Sequence, residues 1–499
     1  MRTTHLLASL LAAASPLAAQ YGFNLDKLTA GTLGQNLDLQ IHGATANTPC
    51  LLIPSFTAGP TPLSLLDPID PRSLEVGIDL LGNMSVFVTS PTGNAVISTL
   101  IVNDPAFNGA SLHWQAATFP GVTTIIDQLS NPVVSQVGQP AVSSTVTSPL
   151  LAARAGATAC WNRVRNAGAG DLLLVSGAAN EFFQFRTLDS VAGPAMNTPR
   201  ALHAAATLND GRVLFTGGVD GTGAVTTSCE IYDPVTNAFT TVASMTGIRA
   251  GHAAATLPDG RVMVVGGTIN FTDITTAITA ALNTSEIYNP ATNTWAAGPN
   301  IGGRRIVPSL TRLSTGRMLI AGGIEVSLLF GIPIALTSTN KAQLYNPATN
   351  TWSNAANMPV GRAYHHDNQV TLADGRVMLS GGVLVPDLLN VANAASVANA
   401  DLYNPTTNTW LATTMSHART GHAAVRLPDN RVLVSGGAEG LLSAAVALSA
   451  VATFNPTTNA WTDQLPMTVT RTGHTAAVLP DGMLVLIGGN GTSSEAMHF

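Results

Sequence analysis

Charged side chains are scarce in this 499-residue chain. They make up 10% of the sequence, the net charge is -6, and Lys27 and Lys341 are the only lysines. Proteins that bind nucleic acids or anionic membrane surfaces carry a basic stripe, and the sequence has none. Beyond the N-terminus it also has no apolar run long enough to span a bilayer. We therefore expect no nucleic-acid partner and no membrane insertion.

Cysteines are few as well. Cys50, Cys160 and Cys229 are widely spaced and form no CxxC pair. Three scattered cysteines do not make a disulfide framework, so we expect buried thiols. Residues 1–20 resemble a secretory signal peptide, because Arg2 precedes an apolar core and small residues precede Gln20. This pattern predicts a secreted, periplasmic or cell-surface protein.

Turn residues, by contrast, are abundant. The 46 glycines and 29 prolines favour an all-β protein. Residues 21–138 contain short apolar runs with period-two alternation, such as Leu37–Ile41 and Met84–Thr89, and they predict a β-sandwich domain. The stretches Ser64–Asp70 and Gly109–Gly121 resemble a small β-sandwich domain of secreted bacterial proteins. We expect a structural or adhesive module there.

The remainder, residues 154–499, is repetitive. A unit has an apolar strand, a tight Asp-Gly or Asp-Asn turn, and a second strand that ends in paired glycines. A variable loop, a third strand with a Tyr-Asn-Pro end, and a fourth strand that begins with an aromatic residue complete the unit. The paired glycines recur roughly every 50 to 60 residues, the period of kelch repeats. They are Gly217-Gly218, Gly266-Gly267, Gly322-Gly323, Gly381-Gly382, Gly436-Gly437 and Gly488-Gly489.

These features resemble the kelch repeat, whose four-stranded units are the blades of a β-propeller. Five units have every part. A sixth, from Arg471, has two strands and a possible third in Ser494–Phe499, and an eroded unit around Cys160 precedes them all. We predict an all-β fold, a kelch-type β-propeller with seven blades favoured and six possible, after the N-terminal β-sandwich. Residues 139–153 are a linker or a closing strand, because the last blade needs a partner for its open edge.

One end of the first strand carries an Arg-x-x-His motif in most units. The first strand is the innermost one of a blade, so these residues should surround the mouth of the central channel. The candidate ligand-binding residues are Arg200, His203, Arg249, His252, Arg305, Arg362, Tyr364, His365, Arg419, His422, Arg471 and His474. Such a ring could hold a metal or an anionic ligand. Alternatively, each histidine hydrogen-bonds the neighbouring blade, and we expect neither a metal nor another cofactor.

The loops on the same face are long and apolar, namely 268–285, 324–341, 383–400 and 438–450. They are consistent with hairpins that pack on one another, with docking of the sandwich domain, or with an exposed binding surface. The recurrent tyrosines and tryptophans sit at one position of every unit. We predict that they pack between blades and do not form a sugar-binding ladder. The arginine of each Asp-Gly-Arg turn is likewise predicted to be structural.

A second resemblance concerns chemistry. Arg362-Ala-Tyr-His365 is similar to the Tyr-His metal-ligand motif of galactose oxidase-like copper radical oxidases, which are kelch propellers. Cys160 falls near the position of that family's cross-linked cysteine. However, Leu202 stands where the resemblance implies the radical tyrosine, and the printed sequence does not include the later domain that supplies a second histidine ligand. The resemblance therefore gives weak support to oxidase chemistry.

Taken together, the sequence predicts a secreted kelch-propeller binding protein. Its ligand would be a cell-surface polymer or an envelope protein, bound as a protein or polysaccharide partner on the loop face. The alternative is an oxidase-like or other metal-dependent enzyme at the channel mouth, so the question of catalysis stays open.

Overall fold

The computed structural model describes residues 21–499 except 66, 122, 147–148, 154–156, 163–170, 177–178, 272–273, 330–331, 365–368 and 388–390. The predicted signal peptide, residues 1–20, lies outside the described residues. The described chain is almost entirely β-structure and divides into two compact units. The first contains the residues up to Pro140 with Arg186–Leu188 and His498, and the second contains the remainder.

The first unit is built from two main sheets. Its strands are β1 (Asn24–Lys27), β2 (Gly31–Thr32), β3 (Asn36–His42), β4 (Pro49–Ser55), β5 (Ala58–Pro62), β6 (Ser73–Val76), β7 (Ser85–Val88), β8 (Ala95–Leu100), β9 (Ser111–Thr118) and β10 (Val133–Gly138). Short 3₁₀ turns lie at Leu63–Leu65, Leu81–Asn83 and Pro105–Phe107. One sheet has the order β1-β3-β8 and the other β2-β10-β9-β4-β7, while β5 and β6 form a separate pair.

These two sheets share a single core. Leu37, Leu39 and Ile41 alternate along β3 and are all buried, as the period-two pattern predicts. They pack in one cluster with Trp114 of β9 and Cys50 of β4. Burial raises the pKa of the Cys50 thiol to about 12, so this cysteine is the buried thiol that was expected.

The second unit contains the repeats. Its strands are β11 (Ser143–Thr145), β12 (Thr158–Asn162), β13 (Asp171–Ser176), β14 (Ala179–Gln184), β15 (Ser190–Ala192), β16 (Arg200–Ala201), β17 (Ala204–Thr207), β18 (Val213–Thr216), β19 (Val219–Asp220), β20 (Cys229–Asp233), β21 (Ala238–Val242), β22 (Ala253–Thr256), β23 (Val262–Val265), β24 (Ser285–Asn289), β25 (Thr294–Ala297), β26 (Arg304–Ile306), β27 (Ser309–Arg312), β28 (Met318–Ala321), β29 (Ile324–Leu329), β30 (Ile332–Ser338), β31 (Ala342–Asn346), β32 (Thr351–Asn354), β33 (Gln369–Thr371), β34 (Val377–Ser380), β35 (Val383–Leu384), β36 (Ala395–Asn404), β37 (Thr409–Leu411), β38 (Thr414–Arg419), β39 (Ala423–Arg426), β40 (Val432–Ser435), β41 (Ala438–Glu439), β42 (Val446–Ala447), β43 (Val451–Asn455), β44 (Ala460–Gln464), β45 (Thr475–Val478), β46 (Leu484–Ile487) and β47 (Ser494–Met497). One helix, α1 (Ile274–Thr279), and 3₁₀ turns at Val391–Asn393 and Leu442–Ala444 interrupt them. Within the described ranges, no helix has the length and hydropathy needed to cross a membrane.

The repeats fold into consecutive antiparallel sheets, as expected for a propeller. The sheets are β12-β13-β14-β15, β17-β18-β20-β21, β22-β23-β24-β25, β27-β28-β31-β32, β33-β34-β36-β37, β39-β40-β43-β44 and β45-β46-β47-β11. The fifth also includes β35 and β38, which pair with the long strand β36. In the last sheet, β11 pairs antiparallel with β47, so a segment that precedes the repeats supplies the outer strand.

The recurrent aromatic residues pack between successive sheets, as predicted. Tyr288 lies in one buried cluster with Leu214 and Val264, which come from two neighbouring sheets. Its ring stands 5.1 Å from that of Trp295, and its hydroxyl donates a 2.9 Å hydrogen bond to the Asn293 side chain. The Trp295 indole donates a 2.8 Å hydrogen bond to the Ala243 carbonyl of the preceding repeat. These aromatic residues therefore hold one blade against the next.

The Asp-Gly-Arg turns join the first two strands of a blade at the face opposite to the paired glycines. Gly260 has φ +89°, the conformation for which glycine is favoured in such a turn. Asp259 accepts hydrogen bonds from the Arg261 backbone and side chain, and both side chains are exposed. The arginine of this turn is structural, as predicted.

Candidate functional site

The six arginines of the Arg-x-x-His motif are among the most deeply buried side chains of the second unit. They are Arg200, Arg249, Arg305, Arg362, Arg419 and Arg471. In the first of these blades, the Arg200 guanidinium donates to the carbonyls of Gly217 (3.1 Å) and Ser228 (2.6 Å) and to the Glu230 carboxylate (2.8 Å). All three partners belong to the same blade. The guanidinium thus connects the end of the second strand of its blade with the start of the third strand.

The carboxylate that receives the arginine also holds the chain that enters the blade. Glu230 accepts hydrogen bonds from the backbone N–H groups of Asn197 and Thr198. Glu286 does the same for Thr246 and Gly247, and it pairs with Arg249 at 2.6 Å. Equivalent ion pairs join Arg362 to Asp401 and Arg471 to Glu495. The arginine and the carboxylate therefore form one buried structural unit in each of these blades.

The backbone of the same arginines connects successive blades. In five of the six glycine pairs, the second glycine donates its N–H to the arginine carbonyl of the next blade. The pairs are Gly218 with Arg249, Gly267 with Arg305, Gly323 with Arg362, Gly382 with Arg419 and Gly437 with Arg471, at 2.7–2.9 Å. A Cβ atom on Gly217 would lie 2.3 Å from the Arg249 carbonyl oxygen, so this approach requires glycine.

The histidines connect blades through their imidazoles. The Nε2 atoms of His252, His422 and His474 lie 2.8 to 2.9 Å from the hydroxyls of Thr216, Ser380 and Ser435, respectively. Each hydroxyl immediately precedes the paired glycines of the preceding blade. His203 reaches the hydroxyl of Thr158 in a similar way, at 3.1 Å. These contacts agree with the second interpretation of the sequence, in which the histidines hydrogen-bond the neighbouring blade.

Burial keeps the imidazoles of His252 and His474 neutral. It lowers the pKa of His474 to about 3, with a smaller effect from Arg471 and Arg419, and it lowers the pKa of His252 well below its usual value. His365, the other predicted histidine, lies outside the described residues. Pro308 stands where a histidine is found in other blades. In the preceding blade, Val265 occupies the position before the paired glycines that Thr216 and Ser380 occupy elsewhere, so no hydroxyl is present there.

A ring of left-handed backbone conformations surrounds the mouth. The residue before each motif histidine, or before its replacement, has a positive φ: Leu202, Gly251, Val307, Tyr364, Gly421 and Gly473. Hydrogen bonds join neighbours in this ring, such as Gly251 N–H to the Leu202 carbonyl and Val307 N–H to the Gly251 carbonyl. A β-branched residue at positive φ is strained, and here the ring of hydrogen bonds holds Val307 in that conformation.

Inside this ring lies a pocket of about 400 Å³. Its walls are small side chains and peptide groups from the inner strands, together with three threonines, Thr158, Thr420 and Thr475. Tyr364 is half-buried at its edge, and burial raises the pKa of its phenol. Of the predicted site residues in the described ranges, Tyr364, His422 and His474 line the pocket, and none of the six arginines does. The described lining residues include no arginine, lysine or carboxylate.

The long apolar loops follow the paired glycines, on the face that carries the motif histidines, and pack against one another. Ile324, Val326 and Leu336 of the β29–β30 hairpin share a buried cluster with Val383 and Ala394 of the next blade's loop. We call the four loops at 268–285, 324–341, 383–400 and 438–450 the collar. The expectation of extended hairpins holds for β29–β30, whereas the first collar loop forms helix α1 instead.

Part of the collar remains in contact with solvent. Its exposed apolar side chains are Ile269, Leu329, Ile334, Leu384, Leu441, Leu442 and Val446. They belong to loops of four consecutive blades on one face of the unit, so that face carries exposed apolar surface. Packing of the loops on each other and exposure of an apolar surface therefore both occur.

Sequence reasoning missed the partners that give the motif its role. One position of the third strand, two residues before the place of the tyrosine in complete repeats, holds Glu230, Glu286, Asp401 and Glu495. An acidic residue repeated inside an apolar strand was the available signal, since buried carboxylates need a partner. The hydroxyl before the paired glycines was a second signal, because Thr216, Ser380 and Ser435 each precede a blade with a histidine.

Comparisons with known proteins agree with this architecture. The family model of the kelch motif matches residues 199–246 and 249–302. A Kelch-like protein, terF, from Aspergillus terreus is 24% identical over 217 residues, which are 42% of this chain and 44% of that protein. The match thus spans less than half of the relative's length. A solved fungal alcohol oxidase of the AA5 family, in complex with copper, is 17% identical and covers 71% of this chain and 75% of its own, with a TM-score of 0.51. The structure of YjhT is also 17% identical and covers 60% of this chain and 94% of its own, at a TM-score of 0.43.

The two matched stretches are the sheets that contain the Arg200–Glu230 and Arg249–Glu286 pairs. The likeness to the alcohol oxidase extends over most of the chain and concerns the fold. The chain thus contains kelch motifs, matched at residues 199–246 and 249–302, in repeats with a β-propeller fold.

Proposed function

We propose that this chain is a secreted or cell-surface binding protein, and that it takes a protein or polysaccharide partner on its mouth face. The observation that carries the proposal is a pocket of about 400 Å³ whose described lining has no arginine, lysine or carboxylate, on the face that carries the exposed apolar collar. Pockets of a few hundred Å³ lined by apolar and a few polar groups are typical binding sites. The proposed location outside the cell is supported by the secretory pattern of residues 1–20.

The pocket wall defines the chemistry of what enters it. The hydroxyls of Thr158, Thr420 and Thr475 and nearby peptide groups offer uncharged donors and acceptors. The motif arginines are buried in their own blades, and the His474 imidazole is neutral at physiological pH. A group that enters the pocket would therefore present neutral hydrogen-bonding functions, as a sugar hydroxyl or a peptide amide does.

The collar would contribute the apolar part of the contact. Ile334 and Val446, which are 58% and 68% exposed, lie on two of its loops. Exposed apolar residues grouped around a pocket are a common feature of interaction sites. Affinity would then come from collar contacts and specificity from the pocket.

The test is a binding screen of the purified full chain against polysaccharides and against solubilised envelope proteins. For a partner found there, we expect Ile334→Asp and Val446→Asp to weaken binding by about tenfold or more, because each places a charge in an apolar contact. The matched control is Val235→Asp. Val235 is 73% exposed and lies in the turn between β20 and β21, on the face opposite to the collar.

Two results would contradict the proposal. One is the absence of any saturable binding in the whole screen. The other is an equal loss of binding in the Val235→Asp control, which would place the contact elsewhere or show a general loss of solubility.

A second candidate is an oxidase-like, metal-dependent activity at the same mouth. One observation favours it, since Tyr364, which the resemblance implies as a copper ligand, does line the pocket. The other described residues do not fit that site. Leu202 is a hydrocarbon side chain where the radical tyrosine would be, and the Nε2 atoms of His422 and His474 already bond serine hydroxyls.

Metal analysis of the purified protein separates the two candidates. For a binding protein we expect no stoichiometric copper, and we expect His422→Ala to lower stability without altering the metal content. Stoichiometric copper that is lost in Tyr364→Phe would support the enzyme instead.

A further inference from the structure

The buried arginines of the propeller differ in what neutralises them. The third-strand position that faces the motif arginine holds Glu230, Glu286, Asp401 or Glu495 in four blades. Two blades depart from this rule. Gln343 occupies the position in the blade of Arg305, and Thr453 occupies it in the blade of Arg419.

Arg419 is the motif arginine with the most unpaired buried nitrogen atoms among the described residues. Its Nη1 atom donates to the carbonyls of Gly436 and Ala450, at 3.1 and 3.2 Å. Its Nε and Nη2 atoms are buried and have no hydrogen-bond acceptor within the described part of the chain. The side chain is completely buried, with 0% exposure. Two guanidinium nitrogens, with three N–H groups between them, therefore lie in the protein interior without an acceptor among the described residues.

Thr453 does not replace the carboxylate. Its side chain is shorter than that of glutamate and carries no charge. Its hydroxyl accepts a hydrogen bond from the Gln464 side chain at 2.9 Å and lies 3.5 Å from the Thr462 carbonyl. The threonine is therefore satisfied by β44 of its own blade and leaves the guanidinium uncompensated.

Nearby carboxylates are engaged elsewhere. Asp463 accepts a hydrogen bond from Ser416, and Glu439 contacts the His417 ring and the Ala418 N–H. Neither forms an ion pair with Arg419 among the described residues. Burial lowers the pKa of Arg419 to about 10, and these two carboxylates oppose the shift. At neutral pH the guanidinium is still charged.

The other blade without a carboxylate, that of Arg305, leaves fewer buried guanidinium atoms unpaired. In the blade of Arg305, the Gln343 side-chain oxygen accepts a hydrogen bond from the Gly302 N–H, as the carboxylates do elsewhere. Arg305 donates to the Lys341 carbonyl and has one unpaired buried atom, Nε, whereas Arg419 has two. A buried charge without a counter-charge is costly, so the blade of Arg419 has the stronger need for a negative partner.

We propose that Arg419 binds a small monovalent anion of the chloride class, at the place that a carboxylate occupies in the other blades. Chloride has the charge of a carboxylate and accepts hydrogen bonds from guanidinium N–H groups. Thr453, being short, lines the site instead of filling it. The anion is a structural part of the blade, independent of any partner on the mouth face.

The direct test uses bromide, which reports its position by anomalous scattering. Crystals of the full chain grown in bromide should show an anomalous peak within hydrogen-bond distance of Arg419 Nη2. Thr453→Glu should eliminate that peak, because the new carboxylate takes the place of the anion, as in the Glu230 blade. The matched control, Gln343→Glu, changes the equivalent residue of the Arg305 blade and should leave the peak at Arg419 unchanged.

A second measurement keeps the test decisive if Thr453→Glu fails to fold. The Tm of the unmodified chain is measured at constant ionic strength while chloride replaces gluconate. We expect the Tm to rise by about 2–4 °C from micromolar to 100 mM chloride, since a ligand of the folded state stabilises it. A flat Tm together with no bromide peak at Arg419 would overturn the proposal, as would a peak that persists in Thr453→Glu.

Discussion

Each complete blade carries an arginine at both ends of its first hairpin, and Arg249 and Arg261 of one blade have opposite surroundings. Arg261 lies at the Asp-Gly-Arg turn, exposed to solvent, in a salt bridge with Asp259 two residues away. Arg249, at the other end, is buried and bonds Glu286, which lies beyond a long loop. Exposed pairs of this kind contribute little to stability, whereas a buried charge depends on its partner. Recurrence in a repeat therefore says nothing about which arginine the fold needs.

The largest expected effect comes from removing the buried arginine. Arg249→Ala leaves the Glu286 carboxylate buried without its counter-charge, so we expect the free energy of unfolding to fall by about 3–5 kcal/mol. Urea unfolding monitored by tryptophan fluorescence measures it. Arg261→Ala is the control, and we expect a change of about 0–1 kcal/mol because its salt bridge is exposed. Similar losses in the two variants would abolish the distinction between the two ends.

A second pair of substitutions compares the glycines at the two ends. Gly217→Ala would place a Cβ atom 2.3 Å from the Arg249 carbonyl oxygen, whereas Gly211→Ala, in the Asp-Gly turn, meets nothing within 4 Å. Both glycines have a positive φ, so both variants carry a conformational cost of about 1 kcal/mol. We expect a total loss of about 2–4 kcal/mol for Gly217→Ala, because the contact with the next blade must also give way. Equal losses of unfolding free energy in the two variants would show that backbone conformation alone determines the cost of each substitution.

A smaller effect is expected from pH. The folded protein holds the pKa of His474 at about 3, whereas an unfolded histidine titrates near 6.5. Between these values the unfolded state binds the extra proton, so the stabilisation is complete above pH 6.5 and is lost as the pH falls toward 3. We expect a slope of up to about 1.4 kcal/mol per pH unit from this histidine.

His474→Gln tests that slope in urea unfolding at pH 7, 6 and 5. The variant should be less stable than the parent at pH 7 and should lose less stability between pH 7 and 5. Parallel pH curves for the two proteins would mean that His474 does not titrate with unfolding.

Much of the fold could be predicted because its signals are local. An Asp-Gly or Asp-Asn turn between two apolar strands specifies a hairpin, and paired glycines with positive φ mark the place where the next blade approaches. The packing of Tyr288 between blades followed from its recurrence. These features depend on neighbours in sequence, which a repeat displays several times.

The site was harder to predict because its contacts cross loops and blades. The partner of Arg249 is Glu286, beyond a loop whose length varies, and the partner of His252 is Thr216 in another blade. The sequence indicated a ring at the mouth but not that its arginines point into their own blades. Helix α1 was also missed, since its threonines and isoleucines are weak helix formers and tertiary packing decides their conformation.

The pairing of β11 with β47 has a consequence for how the molecule forms. The two strands are separated by the whole repeat array, so their contact is among the longest-range contacts in the chain. Bringing together distant segments is slow because the loop entropy is lost before the contact is gained. Until it forms, β47 presents an unpaired edge that a second chain could occupy. The pairing of β11 with β47, which completes the last blade, is thus the step at which correct folding competes most directly with aggregation.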